Sequence, residues 1–196
     1  MVYYAGIGSR ETPESILKAF ETLGEKLGEM GFILRSGRAP GADSYFEIGA
    51  NKVGAETEIY IPWKNFPKDS PLTKNPAIAL ETLDIKQQVK AAESVDKYHP
   101  APERLSQGAM KLMARNYCQL HGRAIDSPLS SFIVCYTKDG GASGGTGQAI
   151  RMANDMNIPV LNAHGYEKNP EAFIDKVITY AKKYMEKEYD CDDIER

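Results

Sequence analysis

Val2-Tyr3-Tyr4-Ala5-Gly6-Ile7-Gly8-Ser9-Arg10 opens the chain, and its reading sets the frame for the rest. Val2 to Ile7 is a short apolar run that ends in Gly6-Ile7-Gly8-Ser9-Arg10. Such a run, closed by glycines, reads as a buried strand feeding a tight turn. Thr12-Pro13-Glu14 then starts a helix, with Thr12 as N-cap and Pro13 at the first helical position. Ile16, Leu17, Phe20, Leu23, Leu27 and Met30 recur at helical spacing, and Gly31 ends the helix.

The alternation continues outward from there. Phe32-Ile33-Leu34 is a second strand, leading through Arg35-Ser36-Gly37 into the turn Arg38-Ala39-Pro40-Gly41. A helix follows from about Ala42 to Lys52, then a strand from Glu58 to Trp63. Strand, helix, strand, helix, strand argues for a parallel sheet covered by helices. Residues 64–74 read as loop, while 75–97 and 102–121 read as helices broken at His99-Pro100-Ala101-Pro102. These form a helical insertion over about residues 70–125. Ser131 to Thr137 is the fourth strand, Gln148 to Met156 a helix, Ile158 to Leu161 the fifth strand, and Phe173 to Tyr184 a closing amphipathic helix. The expected fold is α/β, a three-layer parallel sheet of about five strands with a helical insertion; in the order 3-2-1-4-5, strands one and four would flank a switch point. One domain over residues 1–188 and a charged, fraying tail over 189–196 are expected, the charged stretch beginning near Glu186.

The bulk composition narrows the function classes. The chain has 196 residues, enough for one domain with its own core. Hydrophobic residues make up 42% and charged residues 26%, values ordinary for a globular protein. A net charge of −3 argues against a broad electrostatic footprint for nucleic acid. Cys118, Cys135 and Cys191 are widely spaced and odd in number, which suggests neither a zinc knuckle nor a disulfide framework and fits a reducing cytoplasm. No basic region followed by an apolar one marks a signal peptide, and no apolar run approaches the ~20 residues that span a bilayer, so no membrane partner is expected. His99, His121 and His164 have no partners at metal-ligand spacing, so no metal is expected.

Three glycine-bearing turns carry the chemistry. They follow strands one, two and four, at the carboxyl ends where open α/β sheets bind ligands. The richest is Gly140-Gly141-Ala142-Ser143-Gly144-Gly145-Thr146-Gly147, which opens a helix. Glycines let several backbone N–H groups converge on one anion, and the helix N-terminus favours negative charge. Ser143 and Thr146 add hydroxyls. In the first turn, Gly8, Ser9 and Arg10 are candidates to hold phosphate, Arg10 as a bidentate donor or as a surface arginine paired with Glu11 or Glu14. The third turn offers Ser36, Gly37 and Gly41, followed by Asp43 and, one helical turn on, Glu47. Two carboxylates on one helix face could do acid/base work or simply face solvent. Arg115 and Asn116 share a polar helix side with Gln119, and Trp63, the sole tryptophan, could stack on a base or cover the rim. The dinucleotide fingerprint is missing because Glu11 stands where its third glycine belongs, and no Gly-Lys-Ser/Thr marks a P-loop. No cofactor is therefore expected.

Taken together, Gly6 to Arg10, Ser36-Gly37…Gly41-Ala42-Asp43…Gly49-Ala50 and Ser143 to Gly147 resemble the SLOG superfamily, which includes DprA/Smf DNA-processing proteins and Lonely Guy phosphoribohydrolases. The resemblance spares only the 70–125 insertion and the tail. Ser36 to Asp43 looks most like the Ser-Gly-x-Ala-x-Gly-x-Asp pattern of the DprA group, and a looser similarity extends to DprA-like proteins of bacteriophages. It implies a Rossmann-like fold and a site for nucleotide or single-stranded DNA phosphate. Laid on Gly144 to Gly147, the Lonely Guy motif places its catalytic glutamate on Arg151 and its threonine on Gln148, which argues against simple phosphoribohydrolase chemistry. The first functional expectation is a homo-oligomeric binder of a nucleotide-like small molecule. The second is a nucleotide hydrolase or glycosyl transferase using Asp43 and Glu47, and the third a single-stranded DNA binder.

Overall fold

The computed structural model describes residues 1–68 and 70–192, with side chains described as far as residue 187. Strand β1 (Val2–Gly8) lies inside a six-stranded parallel sheet with β2 (Phe32–Ser36), β3 (Thr57–Ile61), β4 (Ile78–Ala79), β5 (Phe132–Tyr136) and β6 (Val160–Asn162). The order is β4-β3-β2-β1-β5-β6. The five longer strands thus follow the 3-2-1-4-5 order that puts a switch point between the first and fourth of them, and a short strand from the insertion extends one edge. Tyr3 is in register with Ile33 of β2 and Ala5 with Ile133 of β5. The chain steps outward from β1 to β4, then returns to the other side of β1 as β5. This reversal opens a crevice beyond the carboxyl ends of β1 and β5.

The period-two pattern of the strands divides the core into two layers. Val2, Tyr4, Phe32, Leu34, Phe132 and Val134 pack with α1 (Glu14–Glu29), α2 (Ala42–Lys52) and α6 (Pro170–Asp192). Ala5, Ile7, Ile133 and Cys135 face α4 (Gln107–His121) and α5 (Gly144–Asp155) on the other side, with α3 (Ile85–Tyr98) packed beyond on α4. Tyr4 touches the rings of Phe32, Phe46 and Phe132, and Phe20 of α1 stacks on Phe46 of α2 at 4.4 Å between centroids. Aromatic contacts of this kind add to the area they bury, which fixes α1 and α2 on the sheet.

Several element boundaries differ from expectation. Helix α3 begins at Ile85 rather than near residue 75, because Pro76 disfavours helix before it and the Asp84 carboxylate caps the Lys86 N–H at 2.8 Å. The intervening residues supply β4, which pairs Ile78 with Tyr60. Thr12 is not the N-cap of α1: Pro13 occupies that position, and the Thr12 hydroxyl donates to the Ser9 carbonyl at 2.7 Å. Helix α5 starts at Gly144, so the glycine run forms its first turn rather than a loop before it. The closing helix runs on to Asp192, and residues 193–196 of the expected tail lie outside the described residues. No helix among the described residues is long and apolar enough to cross a membrane.

Candidate functional site

A cleft of about 850 Å³ opens at the crevice between β1 and β5. That volume suits a small organic ligand. Gly8, Ser9 and Arg10 line it from the exit of β1, Thr137 to Asp139 from the exit of β5, and Ser143 to Thr146 from the start of α5. The insertion supplies a further wall through Leu112, Met113, Arg115 and Asn116 of α4, and Asp43 of α2 reaches the same space. Ten of the predicted residues are thereby brought together: Gly8, Ser9, Arg10, Asp43, Arg115, Asn116, Ser143, Gly144, Gly145 and Thr146.

Asp43 is the most constrained of these. It is 1% exposed, and its Oδ1 accepts the Gly8 N–H at 3.2 Å. Arg115 Nη2 lies 3.1 Å from Asp43 Oδ2, an ion pair across the floor of the cleft. Burial pushes the Asp43 carboxyl above the usual aspartate range, against the Arg115 charge and the Gly8 and Ala39 N–H groups, which favour the carboxylate. Gly37 makes the pairing possible, because a Cβ there would overlap Arg115 Nη1. The Arg115 side chain is 7% exposed, yet its Nε and Nη1 have no hydrogen-bond partner. A buried guanidinium with donors left over is costly unless something accepts them.

The opposite wall is the first turn of α5. The N–H groups of Gly144, Gly145 and Thr146 have no intrahelical acceptor by helix geometry, and the three residues line the cleft. The Gly147 N–H closes the turn onto the Ser143 carbonyl at 2.8 Å. Gly147 does not line the cleft; it lets the turn sit on the Ala142 carbonyl, which a Cβ would overlap. The Ser143 hydroxyl donates to Asp139 Oδ1 at 2.7 Å, and that bond with the Gly141 N–H holds the Asp139 carboxyl below its ordinary range. Asn116 Nδ2 donates to the Gly145 carbonyl at 3.2 Å and to Gln148 Oε1 at 2.8 Å, so it braces the turn from behind.

Other candidates are placed elsewhere. Glu47 does not reach the cleft. It is 1% exposed and receives Arg38 Nε at 3.0 Å and Nη2 at 2.6 Å. Arg38 also donates to the carbonyls of Asn75 and Pro76, so the pair ties the β2–α2 turn to the insertion. The two carboxylates share a helix but not a site, which corrects their expected joint catalytic role. Ser36 lies behind the floor, its hydroxyl donating to the Gly6 carbonyl at 2.7 Å, and Gly41 backs onto Ser9 and Arg10. Trp63 is also outside the cleft. It meets Phe66 edge-on at 5.2 Å, and no aromatic ring lines the cleft among the described residues. Glu14, one acid that could have held Arg10 to the surface, pairs with Lys18 instead. Lys138 and Asp139 were not anticipated: they are the first residues past β5 and Thr137, a position that could have marked them. Among the described residues, no three His, Cys, Asp or Glu side chains are grouped to hold a metal.

No family model matches the chain, and no curated protein does. Solved structures do. The molybdenum cofactor binding protein from the phototrophic bacterium Rippkaea orientalis is 19% identical, with 94% of this chain and 96% of that one covered and a TM-score of 0.55. DNA processing protein A from Helicobacter pylori, described for its single-stranded DNA binding mode, is 16% identical over 91% of this chain and 80% of that one, with a TM-score of 0.58. The structural genomics target TM1055 is 15% identical over 82% and 72%, with a TM-score of 0.52. Likeness at these identities is likeness of fold, and the similarity to phage-encoded proteins finds no support in it. The chain shares a Rossmann-like α/β fold with these structures.

Proposed function

We propose that the cleft binds a nucleotide-like small molecule through its phosphate. The observation that carries this reading is the cleft's two facing sides: the first turn of α5, whose leading N–H groups lack intrahelical acceptors, and the Arg115 side chain of α4. Backbone N–H groups at a helix N-terminus suit phosphate oxygens, and a guanidinium suits them bidentately. Arg10 and Lys138 stand exposed at the mouth, on the β1 and β5 sides, where they would draw an anion in. Neighbours of the same fold bind a molybdenum cofactor or single-stranded DNA, which supports ligand binding in general. Thermal shift against nucleoside mono- and diphosphates, ADP-ribose and cyclic nucleotides tests the proposal. A ligand at a hundredfold excess over its Kd should add about 2.7 kcal/mol of stability. Absence of a shift with every phosphate ligand would overturn it.

Asp43 favours a second reading, turnover of the bound nucleotide. It is the buried carboxyl of the floor, and burial raises its proton affinity, as acid/base work requires. Chromatography of nucleotide incubations should then show a released base or sugar phosphate, lost in Asp43→Asn; turnover unchanged in that variant removes the role. Nucleic acid has the weaker footing, because Arg10, Arg115 and Lys138 are matched in the cleft by Glu11, Asp43 and Asp139. Gel-shift binding that weakens steeply with salt would reverse that ranking.

A further inference from the structure

Arg151 stands where the Lonely Guy motif would carry its catalytic glutamate. Its guanidinium is engaged by backbone: Nε donates to the Tyr98 carbonyl at 2.6 Å and Nη1 to the Ala142 carbonyl at 2.6 Å. Tyr98 ends α3, and Ala142 immediately precedes Ser143, the N-cap residue of α5. One side chain on α5 thus straps the helical insertion to the turn that faces the cleft. The same Ala142 carbonyl is the group against which only a glycine fits at position 147. A planar trans peptide points its carbonyl and its N–H in opposite directions. Holding the Ala142 carbonyl therefore sets the direction of the Ser143 N–H.

We propose that Arg151 is a positioning residue for the phosphate subsite, fixing the Ala142–Ser143 peptide and the first turn of α5 so that their N–H groups converge before ligand arrives. The proposal rests on the cleft being a phosphate site. Arg151 makes no ligand contact in this scheme, since it does not line the cleft. Its contribution is preorganisation, which lowers the ordering cost of binding.

The test is titration of wild type, Arg151→Met, Arg151→Gln and Arg151→Lys with inorganic phosphate, followed through the amide signals of Gly144, Gly145 and Gly147. Thermal unfolding of each variant identifies the conditions in which it is folded. In folded protein, Arg151→Met should weaken phosphate by about tenfold, roughly the weight of one hydrogen bond from a charged donor. Arg151→Lys, which can still reach one carbonyl, should recover part of the loss. A merely structural role would lower the melting temperature and leave the affinity of folded protein unchanged, and affinity within about twofold of wild type in both Met and Gln variants overturns the proposal. Should Arg151→Met not fold, the Gln and Lys variants decide it by the same criterion. Failure of wild type itself to bind phosphate, with no shift of those amides, overturns the cleft reading and the positioning role with it.

Discussion

The β2–α2 region beside the cleft and the cleft's β5–α5 wall are built on opposite plans. On the β2–α2 side the charged groups are buried and already matched: Arg38 with Glu47, each 1% exposed, and Asp43 with the Gly8 N–H. On the β5–α5 side Lys138, Asp139, Ser143 and Gly144 are exposed, and the bonds that shape the turn are local, from Asp139 to Ser143 and Gly141. The first region is a frame whose polar groups, Asp43 Oδ2 apart, have found hydrogen-bond partners within the chain. The second presents donors that have not. Arg115 belongs to both, since one nitrogen faces Asp43 and two others have no partner. In a fold like this one, the residues most firmly held need not be those that meet the ligand.

The contrast can be broken most directly at Glu47. Glu47→Ala leaves the Arg38 guanidinium buried without its carboxylate, and urea denaturation should show a loss of about 3–5 kcal/mol. A loss below about 1 kcal/mol would mean that this region is no frame. Gly147→Ala tests the β5–α5 wall by forcing a Cβ onto the Ala142 carbonyl; a loss of about 1–3 kcal/mol is expected, with weakened phosphate binding.

Acid titration separates the half-buried His121 from the buried Asp43 by sign. Burial and the Arg35 charge hold the His121 imidazole down to about 4. Its stabilising contribution is therefore present above its ordinary value of about 6.5 and is lost as pH falls from there toward 4. Asp43 acts oppositely. Its carboxyl is raised in the fold, so its contribution is complete below the ordinary aspartate range and is lost as pH rises through the raised value. Melting temperature against pH for wild type, His121→Gln and Asp43→Asn should flatten the two limbs separately. Arg10→Ala and Lys138→Ala should change stability by no more than about 0.5 kcal/mol while lowering phosphate affinity at low salt, an effect that fades as salt rises. The smallest effect belongs to Trp63→Phe, which should leave binding unchanged because Trp63 packs on Phe66 away from the cleft.

Local pattern was enough for a parallel sheet of the main strands and for which loops meet at one edge. Alternating strands and helices leave few ways to wind a sheet, and the loops after β1, β2 and β5 must then share its carboxyl end. The missed boundaries have local causes too. Pro76 and Asp84 mark the late start of α3, while α5 begins inside a glycine run whose low helix propensity is overridden by its packing on Ala142.

The sequence by itself pointed to the fold class and to ten of the residues that line the cleft. Only the tertiary structure decided how the charges were shared. Asp43 and Glu47 are one helical turn apart and indistinguishable by spacing, yet one meets Gly8 and Arg115 while the other is buried against Arg38. Arg151 looked like a missing catalytic acid until its guanidinium was seen on the carbonyls of Tyr98 and Ala142. The physical reason is the same in each case: a side chain's periodicity gives the face it occupies, but its partner comes from another part of the chain, brought within reach only when the sheet is assembled.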